Sequence, residues 1–215
     1  MRPRRGRAAS LLLLGALVAG VPSAPTRAAG EPDVTAFLAR LARAGSGTRT
    51  LQGRFVQKKR LALFRNEVAT RGQLTYSRPD KLRWETLAPD DSVLLVLGLR
   101  AELRLPGEAA RQLDLRTDRT LGPLVQQLFV WLGLREGSGV AEAYRLSLAA
   151  TGSTWTLTLL PRDAALKRHL VRVTVSFGAD LLPSRLELLQ PNGDRTAVEF
   201  SELRRNQEVP ASRFR

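Results

Sequence analysis

The strongest constraint on the fold is an alternation of apolar and polar residues that recurs from residue 51 to residue 203. Clear examples are 51–57, 68–76 and 100–105, and turn-forming residues such as Asn192-Gly193 separate later runs. A period of two is typical of β-strands with one buried face, and the whole chain predicts about eleven of them. The strands do not alternate with helices, so we expect an antiparallel meander and not a parallel sheet.

Two helical patterns interrupt the strands. In 33–44, Asp33 is a good N-cap and apolar residues follow at helical spacing. The second pattern, 120–133, is apolar nearly all round, and Trp131 falls off its main stripe. One antiparallel sheet of this length must split, curl or close. We therefore predict a mainly β fold (α+β), an incomplete antiparallel barrel of about eleven strands, with a helical lid over a hydrophobic cavity. The alternative is that both helices simply complete a filled core.

The first 28 residues have the pattern of a secretory signal. Four arginines precede an apolar run at 8–21, and small residues follow up to Ala28. The apolar run is too short for an ordinary membrane span. We expect cleavage after residue 28, export to the periplasm and a single domain over 29–215.

Composition narrows the function classes. The formal charge is +14, with one histidine and no cysteine. Such a chain suits an anionic membrane surface or acidic partners, although a solvated arginine-rich surface explains the charge equally well. We expect no nucleic acid partner, because the chain is exported and only 6% aromatic. We also expect no metal site and no cofactor, because metal ligands are few.

Catalysis is not indicated by the sequence. His169 stands alone at the start of a predicted strand, and no Gly-x-Ser-x-Gly nucleophile motif occurs. We therefore expect a protein that is not an enzyme. A lipid-modifying enzyme would require His169 to be essential.

Several motifs carry a resemblance to a known family. They are Leu-x-Gly-x-Phe-x-Gln at 51–57, Gly-x-Leu-x-Tyr-x-Arg-Pro-x-x-Leu-x-Trp at 72–84, and Leu-Pro-x-x-Leu-x-Leu at 182–188, followed by Asn-Gly-Asp at 192–194. In this order they resemble the family of the outer-membrane lipoprotein carrier protein LolA. The resemblance extends over most of 33–214.

The resemblance implies a periplasmic carrier with a half-open barrel. Such a carrier takes the acyl chains of a lipoprotein from an inner-membrane transporter to an outer-membrane acceptor, and we expect it to act as a monomer. The arginine of the Arg-Pro element, here Arg78, would hydrogen-bond to the lid and control its opening. The residues expected in the cavity and lid are Phe55, Leu74, Tyr76, Leu82, Trp84, Leu124, Leu128 and Phe129.

Four alternatives stay open at this point. The cargo could be another acylated lipid or a glycolipid. The chain could be a lipoprotein-sensing regulator on the same fold. Arg78 could be an ordinary arginine at the rim, and Phe55 and Trp84 could belong to an ordinary core.

Overall fold

The structure is a computed structural model that describes residues 32–63, 67–89, 91–118, 125, 128–134 and 139–215. The predicted signal segment and Leu124 lie outside these residues. The helical elements are α1 (Val34–Ser46), α2 (Val140–Ala143), α3 (Ala164–Lys167) and a 3-10 turn (Ala211–Phe214). The strands are β1 (Thr50–Arg60), β2 (Glu67–Ser77), β3 (Lys81–Ala88), β4 (Ser92–Leu97), β5 (Arg100–Arg104), β6 (Arg111–Asp114), β7 (Tyr144–Thr151), β8 (Thr154–Pro161), β9 (Arg172–Phe177), β10 (Pro183–Leu189) and β11 (Arg195–Arg205).

The eleven strands form one antiparallel sheet, in the order β6-β5-β4-β3-β2-β1-β11-β10-β9-β8-β7. Each strand pairs with its neighbours in sequence, except that β6 and β7 do not pair with each other. The first and last strands, β1 and β11, pair in the centre of the sheet. The edges are β6 and β7, so the sheet stays open. The predicted fold class, an incomplete antiparallel barrel with few helices, is confirmed.

The topology explains why a segment lies over the sheet. The chain runs outward from central β1 to edge strand β6, and it must then reach β7 at the opposite edge. Residues 128–134 lie on this connection, and their buried side chains belong to the same hydrophobic cluster as those of the sheet and α1. We call residue 125 and residues 128–134 the lid segment, and we call the sheet face under it the covered face.

Helix α1 forms where the sequence predicts it. The Asp33 carboxylate accepts hydrogen bonds from the backbone N–H groups of Thr35 (2.8 Å) and Ala36 (3.2 Å), which otherwise lack intrahelical partners. Phe37 and Leu41 are buried on its inner face. The helix therefore covers the sheet through the predicted apolar stripe.

The sequence prediction was wrong about the start of β9. The predicted strand begins at residue 168, whereas β9 begins at Arg172. Asp163 caps the short helix α3 by accepting from the N–H groups of Ala165 and Leu166. His169 consequently lies in an exposed turn after α3 and not in a strand.

The outer face of the sheet is covered locally by the C-terminal segment. The 3-10 turn packs on β3, where Phe214 is buried. Arg213 bonds to Gln73 and forms an ion pair with Glu85 across β2 and β3. Among the described helices, none is long and apolar enough to cross a membrane.

Candidate functional site

The covered face carries a layer of aromatic side chains in the middle of the sheet. Phe55 on β1 stacks on Trp84 of β3, with 4.2 Å between ring centroids, and Trp84 meets Phe200 of β11 edge-on at 6.2 Å. Gly72 of β2 pairs with Phe55 and lies between Phe55 and Trp84. A Cβ on Gly72 would clash with the phenyl ring of Phe55. The glycine therefore allows the ring to lie across β2 and reach the indole.

The lid segment closes onto this layer. Phe129 packs edge-on against Tyr76 with 5.8 Å between centroids, and both side chains are 1% exposed. The helical turn of the lid ends in a Schellman motif: the N–H of Leu134 donates to the carbonyl of Phe129, and that of Gly133 to Val130. Gly133 has the positive φ (68°) that this motif requires. The motif ends the helical turn of the lid segment at the point where the lid segment meets α1.

The ends of α1 and the lid segment are in direct backbone contact. A Cβ on Gly45 would lie closer than 3.0 Å to the carbonyl oxygen of Gly133, a separation that real Cβ atoms essentially never show. A Cβ on Gly133 would in turn lie 2.7 Å from Leu41 of α1. Because glycine stands at both points, the two segments can approach this closely.

Arg78 binds the C-terminal end of α1. Its Nη2 donates to the carbonyl oxygen of Gly45 (2.6 Å) and its Nε to that of Thr48 (3.1 Å). Carbonyls at a helix C-terminus lack intrahelical partners, and a guanidinium fork suits them. The contact is therefore with α1, one of the two covering segments. The lid segment is connected to it through Gly45 and Gly133.

A second group of bonds holds the turn between α1 and β1. Asn206 accepts from the backbone N–H of Arg49 (2.7 Å) and donates to the carbonyl of Gly47 (3.0 Å). Next to it, Arg205 donates to the carbonyls of Asp180 and Leu181, and burial lowers the pKa of its guanidinium. The end of β11 thus fixes one side of the α1 turn, and Arg78 fixes the other.

An apolar cavity of about 70 Å³ lies between α1, the lid segment and strands β8 and β9. This volume is far below the ~300–1,000 Å³ of typical ligand pockets. The interior is therefore nearly filled in this closed arrangement. The lining residues are Leu38, Leu41, Ala42, Val130, Trp131, Gly133, Val140, Leu157, Leu159, Val175 and Phe177.

Small residues on the sheet do not enlarge this space. Gly53 and Ala101 lie on strands of the sheet, where their small size could leave room in the interior. Yet the Leu203 side chain occupies the place that a Cβ of Gly53 would take, and Ala101 is part of the packed core. The sequence pattern identified their small size but not the neighbours that fill the gaps.

The residues predicted for the cavity and lid are partly brought together. Phe55, Leu74, Tyr76 and Leu82 on the sheet and Phe129 of the lid segment lie in one packed cluster, and Trp84 and Leu128 are half-buried against it. None of those that the structure describes lines the 70 Å³ cavity, which lies towards β8 and β9. The described members of the set are Phe55, Leu74, Tyr76, Leu82, Trp84, Leu128 and Phe129, and their part in binding cargo stays a prediction.

Sequence reasoning missed the residues that line the cavity. Val175 and Phe177 alternate in β9, and Leu157 and Leu159 alternate in β8, so their shared face was readable. Trp131 was noticed only as a residue off the helical stripe. The sequence does not show where α1 and the lid segment pack least tightly, and the cavity lies at that place.

The chemistry of the site is that of an apolar binding surface. In the described parts of the chain, no group of three or more His, Cys, Asp or Glu could hold a metal ion. No charged side chain is buried among the residues that the structure describes, and Glu85 lies on the outer face. There, the hydrogen bond from Arg83 and the charge of Arg213 hold the pKa of Glu85 below its ordinary value of 4.5.

Comparison with known sequences points to one family. The family described as outer membrane lipoprotein carrier protein LolA matches residues 46–215. The outer-membrane lipoprotein carrier protein of Pseudomonas entomophila (strain L48) is 27% identical over 212 residues, which are 97% of this chain and 94% of that protein. The protein of the same name from Bordetella avium (strain 197N) is 25% identical over 202 residues, 93% of this chain and 88% of the relative.

Solved structures show a similar fold. MucB matches with a TM-score of 0.53 at 20% identity over 86% of this chain. A chain of the Pseudomonas aeruginosa MucA/MucB complex matches with the same TM-score at 19% identity, again over 86% of this chain. The present chain covers only 63% and 61% of those two chains. At these identities the similarity concerns the fold.

Proposed function

The chain belongs to the family of the outer membrane lipoprotein carrier protein LolA, and we propose that it is a non-enzymatic periplasmic shuttle for acylated lipoproteins. It takes the acyl chains from an inner-membrane transporter, shields them on the covered face, and passes them to an outer-membrane acceptor. We further propose that the signal segment 1–28 directs export and is then cleaved. The mature protein works as a monomer.

One observation carries the proposal: the apolar interior is filled by a segment that has no β partner and connects the two edges of the sheet. Five lid residues are at most 5% exposed, namely Val125, Phe129, Trp131, Leu132 and Leu134. A cavity of about 70 Å³ cannot hold an acyl chain beside them. Cargo must therefore displace the lid segment and take its place against the sheet.

The energies suit a carrier that both binds and releases. Burial of an acyl chain contributes about 0.8 kcal/mol per CH₂, so one long chain contributes on the order of 10 kcal/mol. Burial of five large apolar side chains contributes roughly 8–15 kcal/mol, taking about 1.5–3 kcal/mol for each. Because exchanging the lid for cargo trades similar amounts of apolar burial, neither the empty nor the loaded state becomes a trap.

Arg78 has the geometry of a latch in this exchange. Its two hydrogen bonds hold the end of α1 against β2, and Gly133 of the lid segment packs on Gly45 at that end. Release of the guanidinium would free α1 and the lid segment together. Phe55, Leu74, Tyr76, Leu82 and Trp84 would then be uncovered for the acyl chains. Leu124, Leu128 and Phe129 would form the moving side.

Extraction of a lipopeptide from vesicles tests the proposal. The purified protein, prepared without detergent, is mixed with vesicles that contain a fluorescent diacylated lipopeptide, and the vesicles are then removed by flotation. We expect the lipopeptide to remain in solution with the protein at close to one molecule per chain, and to move on to fresh acceptor vesicles. The matched control is the same peptide with a single short acyl chain. Complete retention in the vesicles, together with failure to bind the same lipopeptide when it is offered dispersed in solution without vesicles, would overturn the carrier function.

A further inference from the structure

One of the residues that line the apolar cavity has a polar side-chain group. Trp131 lines the cavity and is 5% exposed, and its indole Nε1 is buried without a hydrogen-bond partner among the described residues. The other described residues that line the cavity are Leu, Val, Ala, Gly and Phe, whose side chains offer no polar atom. An indole N–H can only donate, so the missing partner must be an acceptor.

An unpaired buried donor is unfavourable. It has lost the hydrogen bond that it would make to water or to a protein acceptor, and this loss destabilises the closed state. A phenylalanine would fill the same apolar place without this penalty. The indole N–H of Trp131 is therefore suited to donate a hydrogen bond to a ligand that supplies the acceptor.

We infer that Trp131 donates a hydrogen bond to the carbonyl oxygen of an ester- or amide-linked acyl chain. This inference rests on the proposed carrier function and adds to it the chemical class of the linkage that is recognised. Trp131 is part of the lid segment, which cargo displaces from the sheet, so the carbonyl would meet the indole N–H where the displaced lid segment packs over the bound acyl chain. A free fatty acid would instead bring a carboxylate, and the described lining residues include no cation to pair with that charge.

Two lipids that differ in one group test the inference. A palmitoyl lysophosphatidylcholine has an ester carbonyl, and its hexadecyl ether analogue has the same chain and head group without it. Affinities are measured by displacement of a fluorescent fatty-acyl probe. We expect the wild-type protein to bind the ester about three- to tenfold more tightly than the ether, which is the contribution of one neutral hydrogen bond.

The variants separate hydrogen bonding from packing. Trp131→Phe keeps an aromatic ring and should bind both lipids as weakly as the wild type binds the ether. Trp155→Phe is the matched control, because Trp155 stacks on Phe37 on the covered face and does not line the cavity. It should keep the preference for the ester. An equal loss for both lipids in Trp131→Phe would assign Trp131 to packing and overturn the inference.

A second measurement uses the wild-type protein alone. The indole N–H resonance of Trp131, in isotope-labelled protein, should shift downfield when the ester is added and stay in place with the ether. Equal binding of both lipids by the wild-type protein, without this shift, would overturn the inference and leave the carrier function intact. Failure of both lipids to bind would instead remove the carrier function itself.

Discussion

Gly45→Ala should weaken the contact between α1 and the lid segment. In an exposed helix this change is favourable by about 1 kcal/mol, because alanine has the higher helix propensity. Here the new Cβ would lie closer than 3.0 Å to the carbonyl oxygen of Gly133, and the obstacle is backbone that cannot rotate away. The two segments must therefore separate or the closed state must lose its tight packing.

The size of the effect follows from this competition. Overpacking of a tight interior costs typically about 1–3 kcal/mol, against a gain of at most about 1 kcal/mol from helix propensity. A net loss of about 1.4 kcal/mol in the closed state raises the open population about tenfold. We therefore expect faster uptake of a fluorescent fatty-acyl probe, by up to about tenfold, and a melting temperature lower by a few degrees.

Gly47→Ala is the matched control for this prediction. Gly47 lies two residues further on, and its Cβ would meet only the carbonyl oxygens of Ala44 and Arg43, at 3.7 and 3.8 Å. These are ordinary van der Waals distances, so uptake and melting temperature should stay near those of the wild type. If Gly45→Ala behaves like Gly47→Ala in stopped-flow uptake and thermal unfolding, α1 and the lid segment do not meet as described, and the reasoning is refuted.

Three further predictions concern the latch, the covered face and the outer face. Arg78→Leu should speed probe uptake and lower the melting temperature by a few degrees, since hydrogen bonds from a charged group contribute about 1.5–3 kcal/mol. Arg71→Leu, exposed on β2, the strand that precedes Arg78, should change neither, and wild-type uptake by Arg78→Leu would remove the latch. Trp84→Glu should abolish extraction of lipopeptide because it places a carboxylate among apolar side chains. Leu160→Glu on the outer face should leave extraction intact. Equal extraction by both variants would exclude the part of the covered face around Trp84 as the binding surface. The pKa of Glu85 is lowered in the folded state, so the ionised carboxylate stabilises the fold above pH 4.5, and this stabilisation is lost as pH falls through the folded-state pKa. The melting temperature of Glu85→Gln should therefore depend less on pH below about 5 than that of the wild type. An unchanged dependence on acid pH would contradict this role of Glu85.

Much of the fold was predictable because local patterns and tertiary structure agree. Strict alternation predicted a single antiparallel sheet of about eleven strands, and the Asp33 cap located the start of α1. The pairing of β1 with β11 was not readable, since alternation says which face a residue occupies but not which distant strand lies beside it. The start of β9 was placed wrongly because the capping residue Asp163 was not recognised.

The site was predictable in its residue types and less so in its geometry. The resemblance implied that Arg78 hydrogen-bonds to the lid, and the structure places its hydrogen bonds at the end of α1, one of the two covering segments. The cavity beside β8 and β9 was not predicted. Both halves of the sheet have alternating apolar residues in sequence, and the packing of α1 and the lid segment decides where space remains.

The central claim is that the interior takes up acyl chains, and the most direct test is to identify what the protein carries. The full chain is expressed in a bacterium with an outer membrane, recovered from the periplasm without detergent, and analysed by native mass spectrometry. We expect a chain that has lost its first 28 residues and binds close to one molecule of an acylated species. A protein that arrives empty, and then also fails to take up a fluorescent fatty-acyl probe, would show that the apolar interior is a filled core and would contradict the account.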